Sequence, residues 1–173
     1  MAEGQILYAR RKEVHCLHFL GEVRYPLAPT LERCLDELLG GGEPLSFAID
    51  LTAVSTIDST NLGLLARLAN RLRQCGGPAL TLISDQEDVN ELLIALGFDE
   101  VCQMVSSDHA LPVGAVALAP ENHDGAGMAH TVLEAHRTLV KLKESNRELF
   151  EDVITLLEPA IDAPENRAAK TAR

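Results

Sequence analysis

Apolar positions along the chain follow two rhythms, and the switches between them mark the predicted elements. Ile6 to Ala9 and Val14 to Val23 read as strands, with Arg10 to Glu13 as a charged turn between them. Pro26 and Pro29 precede Leu31, Leu35, Leu38 and Leu39, which recur at helical spacing until Gly40-Gly41-Gly42 ends the pattern. Pro44 to Leu51 is a short apolar run suited to a strand buried on both faces. Asp58, Ser59 and Thr60 are helix-start residues, and a helix is predicted from Thr60 to Gln74, stopped by Gly76-Gly77-Pro78. Ala79 to Ile83 is another buried strand, Asp85 to Leu96 a short helix closed by Gly97, and Val101 to Val105 a last strand. The order β-β-α-β-α-β-α-β predicts an α/β protein, a central sheet covered by helices.

Beyond Ser106 the rhythm fades. Pro112 to Ala126 mixes Gly, Pro, Ala and polar residues and reads as a linker. A single long helix is then predicted from His130 to Glu158, ended by Pro159, with a disordered tail from Ile161 to Arg173. The expected division is a domain over residues 1–108, a linker over 109–129, an amphipathic helix over 130–160 and a tail over 161–173. The helix carries a heptad. Val132, Leu139, Asn146, Val153 and Ala160 share one position, and Ala135, Leu142, Leu149 and Leu156 fall three residues later. Such 3-4 spacing marks a coiled-coil seam, in which a lone Asn commonly fixes register and oligomer state. The expectation is a homodimer held by Leu139, Leu142, Asn146, Leu149, Val153 and Leu156. The alternatives are that the helix folds back or binds another protein. Leu133, Phe150, Ile154 and Leu157 widen the apolar face beyond a strict seam.

Composition narrows the function. The formal net charge is −11, which opposes general binding to nucleic acid or to an anionic membrane, where clustered Lys and Arg supply the attraction. Seven acids and no base lie between Ser84 and Asp108, a solvated face or a surface steering a basic partner. Aromatic residues are 3% with no Trp, which disfavours base-stacking platforms. Cys16, Cys34, Cys75 and Cys102 show no CxxC spacing and read as small buried hydrophobes. The N-terminus lacks the apolar run of a signal peptide, and no stretch approaches ~18 uninterrupted apolar residues. A soluble cytoplasmic protein is expected. His15 and His18 lie on one strand and face opposite sides, so alone they form no metal site. No GxSxG, GxGxxG, P-loop or HExxH is present, so no catalytic residue, metal or cofactor is expected.

The most informative stretch runs from Ala48 to Leu72, a strand, a short turn and a helix. Asp58, Ser59 and Thr60 fall where free backbone N–H groups and the positive end of a helix dipole converge. Such a place can bind an anion or carry a phosphorylated hydroxyl, or one of the three can simply be the N-cap. Leu62, Leu65, Ala69 and Leu72 can face the sheet. Leu64 and Leu68 then fall near the other side beside Arg67 and Arg71, as an outward docking surface or as packing against another helix.

Asp58-Ser59-Thr60-Asn61-Leu62-Gly63 resembles the D-S-[ST]-G-L-G signature of STAS domains, the family of anti-sigma factor antagonists. Ile49-Asp50-Leu51 with Val54 resembles the strand leading into that signature, and Gly21-Glu22-Val23 resembles the family's "GE(L)" strand end. The resemblance spans roughly residues 5–108 and implies a STAS-like mixed sheet covered by helices, here with a C-terminal helical extension. It implies that Ser59 is phosphorylated by a partner anti-sigma factor that is also a HATPase-type serine kinase, and that a PP2C-type phosphatase reverses this. Thr60 is a second candidate and Ser55 a weaker one. Asp58 would orient the hydroxyl, and Asp58, Ser59, Thr60, Asn61, Gly63, Leu64, Arg67 and Leu68 would form the partner surface. Asn61 stands where the family usually has Gly, and Asn tolerates a left-handed turn better than other side chains. Arg24 and Tyr25 follow Gly21-Glu22-Val23 where many members carry an Asp. Phosphate at a helix N-terminus is tolerated, so the switch is expected to act at the surface without unfolding the domain. The contrasting function is a non-catalytic oligomeric scaffold with an inert STAS module.

Overall fold

The computed structural model describes residues 2–42, 45–107 and 114–162. β1 (Gln5–Arg11) and β2 (Val14–Val23) form an antiparallel hairpin through Lys12, whose φ of 55° lies in the left-handed region that a tight turn demands. A 3-10 turn at Tyr25–Leu27 leads into α1 (Ala28–Leu39). Then follow β3 (Ser46–Ile57), α2 (Ser59–Gln74), β4 (Leu80–Ile83), α3 (Glu87–Leu96) and β5 (Cys102–Val105). α3 ends where Gly97 takes φ 93°, the left-handed cap expected of that glycine. The sheet order is β5-β4-β3-β2-β1-β6, where β6 is the two-residue strand Val116–Ala117, with β2 to β5 parallel and β1 antiparallel to β2. The mixed α/β architecture read from the sequence is the one observed.

The core draws on one face of this sheet. Ile6, Leu17, Phe19, Phe47, Ile49, Leu51, Leu80 and Leu82 meet Leu31 and Leu35 of α1, Leu62, Leu65 and Leu72 of α2, and Val89 and Leu93 of α3. His15 lies on this face, its Nδ1 2.8 Å from the Tyr8 hydroxyl and its ring against Phe47. His18 lies on the other face, where its Nδ1 meets Asp50 at 3.1 Å. The two histidines therefore do face opposite sides, as strand alternation requires.

The C-terminal third departs from the predicted picture in three ways. Part of the expected linker is built into the fold: β6 (Val116–Ala117) pairs with β1 and covers its edge. The single long helix is two helices, α4 (Gly125–Leu142) and α5 (Asn146–Asp162), packed on each other. Lys143 is extended at φ −149°, ψ 130°, so the helical ladder stops there and the chain reverses. The helix also does not end at Pro159; α5 continues through it to Asp162, the proline forgoing one backbone bond near the helix end. The tail beyond Asp162 lies outside the described residues, as does the start of the expected linker, residues 108–113.

The four cysteines are unpaired. Cys102 is buried and Cys16 and Cys34 are partly so, but Cys75, at the C-cap of α2, is exposed and is not the buried hydrophobe expected. Burial pushes the Cys34 thiol up to about 11 and the Cys102 thiol up to about 12. Both are thus protonated and inert over the physiological range, because only the thiolate attacks. Iodoacetamide at mildly alkaline pH is expected to label Cys75 first, read by peptide mass spectrometry. Equal labelling of all four would mean that the core is not closed around Cys34 and Cys102.

Candidate functional site

The site is built at the exit of β3. β3 pairs with β4 only over Ala48–Asp50, so its later carbonyls have no partner strand on that side. The Gln86 side-chain amide fills the gap, with Nε2 within 3.1 Å of the Leu51, Thr52 and Val54 carbonyls. On the other side β2 stays paired with β3 through Val23–Ile57, and the Asp58 N–H donates to the Val23 carbonyl at 3.0 Å. These bonds fix where the chain turns.

Asp58 is the N-cap of α2. Its Oδ1 accepts from the Asn61 N–H at 3.0 Å and from the Asn61 side-chain amide at 2.9 Å. The carboxylate thereby satisfies one orphan donor of the first turn and complements the helix dipole. Asn61 is helical and buried, held by Asp58 on two bonds, and does not use the left-handed conformation that its place in the signature suggested. Ser59 is the first residue of α2 and half-buried, whereas Thr60 is only 4% exposed.

Ser59 is not free. Its Oγ lies 2.8 Å from Nε2 of His136 on α4. His136 Nδ1 lies 2.7 Å from the Val132 carbonyl, which can only accept, so Nδ1 carries a proton. In the neutral ring, Nε2 then accepts the Ser59 hydroxyl proton. The rings of His136 and Phe150 of α5 meet in a T-shaped contact, with centroids 5.1 Å apart. Both helices of the C-terminal hairpin thus converge on the start of α2.

The rest of α2 is covered in the same way. Leu64 and Leu68 are 2% and 1% exposed, so the side of α2 away from the sheet is packed rather than open. α4 lies along it, close enough at Gly63 that a Cβ there would fall 2.6 Å from the carbonyl carbon of Ala135. Only a residue without a side chain admits that approach. Arg67 is turned to α1, bridging Glu32 at 3.1 Å and Asp36 at 3.2 Å, and Thr131 of α4 donates to the same Glu32 at 2.9 Å.

The proposed seam residues are divided between inside and outside. Leu139 is buried, and so is Asn146, whose side-chain amide donates to the Leu96 and Leu139 carbonyls at 2.9 and 2.8 Å. Leu142 packs against the core. Leu149 and Leu156 are 64% and 78% exposed, with Val153 partly exposed beside them. Sequence reasoning missed Gln86, His136 and the cornering role of Asn146. A His two heptads before Phe150 carried no signal that it would meet a serine 77 residues away.

Fold and site together define a class: a mixed sheet with helices on one face and a capped, hydroxyl-bearing helix start at the end of a parallel strand. The chain belongs to the STAS domain family, whose model matches residues 5–110. The hairpin α4–α5 lies beyond that match. In fold the chain is similar to the crystal structure of an anti-sigma factor antagonist from Mycobacterium paratuberculosis, at 22% identity and TM-score 0.51, with 59% of this chain and 85% of that one covered. It is similar also to a candidate anti-sigma factor antagonist from Thermotoga maritima, at 21% identity and TM-score 0.50, with 58% and 84% covered. No curated protein matches the sequence. Among the described residues no group of His, Cys, Asp and Glu is placed to hold a metal ion, and no helix is long and apolar enough to cross a membrane.

Proposed function

We propose that this protein is an anti-sigma factor antagonist, a binding module and not an enzyme, switched by phosphorylation of Ser59. The observation that carries the reading is the position of Ser59. It follows the N-cap Asp58 at the first helical residue, half-buried, while Thr60 is buried and held out of reach. The partner is an anti-sigma factor that doubles as a HATPase-type serine kinase. It moves the γ-phosphoryl group of ATP to Ser59 Oγ as ADP leaves and the hydroxyl proton passes to the kinase's base. A PP2C-type phosphatase returns the hydroxyl. Unphosphorylated protein sequesters the anti-sigma factor and frees a sigma factor; the phosphate adds roughly −1.5 to −2 charges at the docking surface and ends the complex. Self-association, where it occurs, would use the Leu149, Val153 and Leu156 stripe of α5, since Leu139 and Asn146 are occupied within the chain.

The test is bait purification from native cells with wild-type and Ser59→Ala protein, followed by phosphosite mapping. Phosphate on Ser59 and a co-purifying HATPase kinase are expected. Ser59→Asp is expected to lose that partner while its melting temperature stays close to wild type. A wild-type bait phosphorylated elsewhere, or an aspartate variant that binds as tightly, would reject the reading.

A further inference from the structure

On the reading of Ser59 as the switch, the hairpin sits on the residues that must be reached. Ser59 Oγ is hydrogen-bonded to buried His136, Gly63 is pressed against the Ala135 backbone, and Leu64 and Leu68 are closed off from solvent. The Ser59–His136 hydrogen bond is the contact that a phosphoryl group on Oγ displaces directly. At 2.8 Å the Ser59 oxygen and the His136 nitrogen are already in hydrogen-bond contact, and a tetrahedral phosphate with three further oxygens has no room between them. The ring cannot swing aside while its Nδ1 is tied to Val132 and it is packed on Phe150. Backing α4 away would separate Ala135 from Gly63, and that strip of α2 would be uncovered with it.

We infer that the docked α4–α5 hairpin and a phosphate on Ser59 are mutually exclusive, so that the hairpin is a cover over the partner face of α2 that must open for either the partner or a phosphate, the charge of the phosphate itself then keeping the partner off. The closed form shields the hydroxyl. The phosphorylated form exposes both the apolar side of α2 and the inner face of α4, two surfaces that the closed form hides. By linkage, whatever holds the hairpin closed also slows phosphorylation, because only the open fraction presents the serine.

The experiment uses the full chain with phosphoserine placed genetically at position 59, and hydrogen–deuterium exchange read by mass spectrometry. Amides of α4 and α5 are expected to exchange at least about tenfold faster than in the unmodified chain, while β3 and β4 keep their protection. Ala135→Arg, which leaves the phosphoacceptor and its cap intact, is expected to give the same loosening without phosphate. Unchanged hairpin protection in the phosphoserine protein would overturn the inference. So would loss of protection across β3 and β4, because the phosphate would then unfold the domain instead of lifting the cover. If the hairpin is released but native protein carries no phosphate on Ser59, the exclusion stands and it is the switch reading that fails.

Discussion

Gly63→Ala is expected to lift α4 from α2 while leaving the domain folded. The two effects have opposite signs. Inside a helix, Ala is better than Gly by about 1 kcal/mol, so α2 itself should gain. Against α4, however, the new methyl would meet the Ala135 carbonyl carbon and Cβ at 2.6 Å. A backbone carbonyl within a helix has no rotamer by which to yield, so the helices must part, and a packed interface that opens by even a fraction of an ångström forfeits much of its dispersion energy. The measurement is amide exchange resolved by segment: fast exchange in α4 and α5 with β3 and β4 protected. Wild-type protection in α4 would show that the close approach at Gly63 does not hold the hairpin.

Asn146→Ala is expected to be the most damaging single change in the hairpin. The amide of Asn146 is fully buried and donates at once to the last carbonyls of α3, at Leu96, and of α4, at Leu139. It is therefore a clasp joining the hairpin corner to the domain. Removing it leaves two carbonyls without that partner, at roughly 1–3 kcal/mol for each that becomes unsatisfied. For a chain of this size each kcal/mol shifts the melting temperature by about 2–4 °C. A loss of several degrees by calorimetry is the expected result, with the hairpin melting before the sheet. Asn146→Ala with an unchanged melting curve would refute the clasp.

Asn146 also shows how far the sequence could be read. The apolar rhythms up to Val105 were enough for the sheet and its helices, because each element buries a face toward the core and most are followed by a Gly or Pro stop. The heptad after Val132 was equally visible, but its meaning was not. A hydrophobic seam records that a helix is covered along one side and does not record by what, so Leu139 and Leu142 look the same whether they meet a second chain or their own domain. The break at Lys143 contains neither Gly nor Pro, and the polar residue expected to set the register of two chains instead corners one chain on itself. β6 was illegible for a simpler reason: two residues carry no period. At the site, the signature located Ser59 and its cap, while Leu64 and Leu68 could have served either outward docking or internal packing. With the hairpin docked both are buried, so in this arrangement they serve packing.

The short strand β6 has a consequence for how such a cover can work. It staples the chain to β1 just ahead of α4, and Arg33 adds an ion pair to Glu121 at 3.0 Å a few residues later. A hairpin lifted from α2 therefore stays leashed within a helix length of its seat. Re-docking is a unimolecular event at a high local concentration and does not repeat the loss of translational freedom that a separate inhibitor would incur. The affinity of the hairpin for α2 can be weak in absolute terms and still keep the site closed most of the time, which makes it easy to dislodge and quick to return.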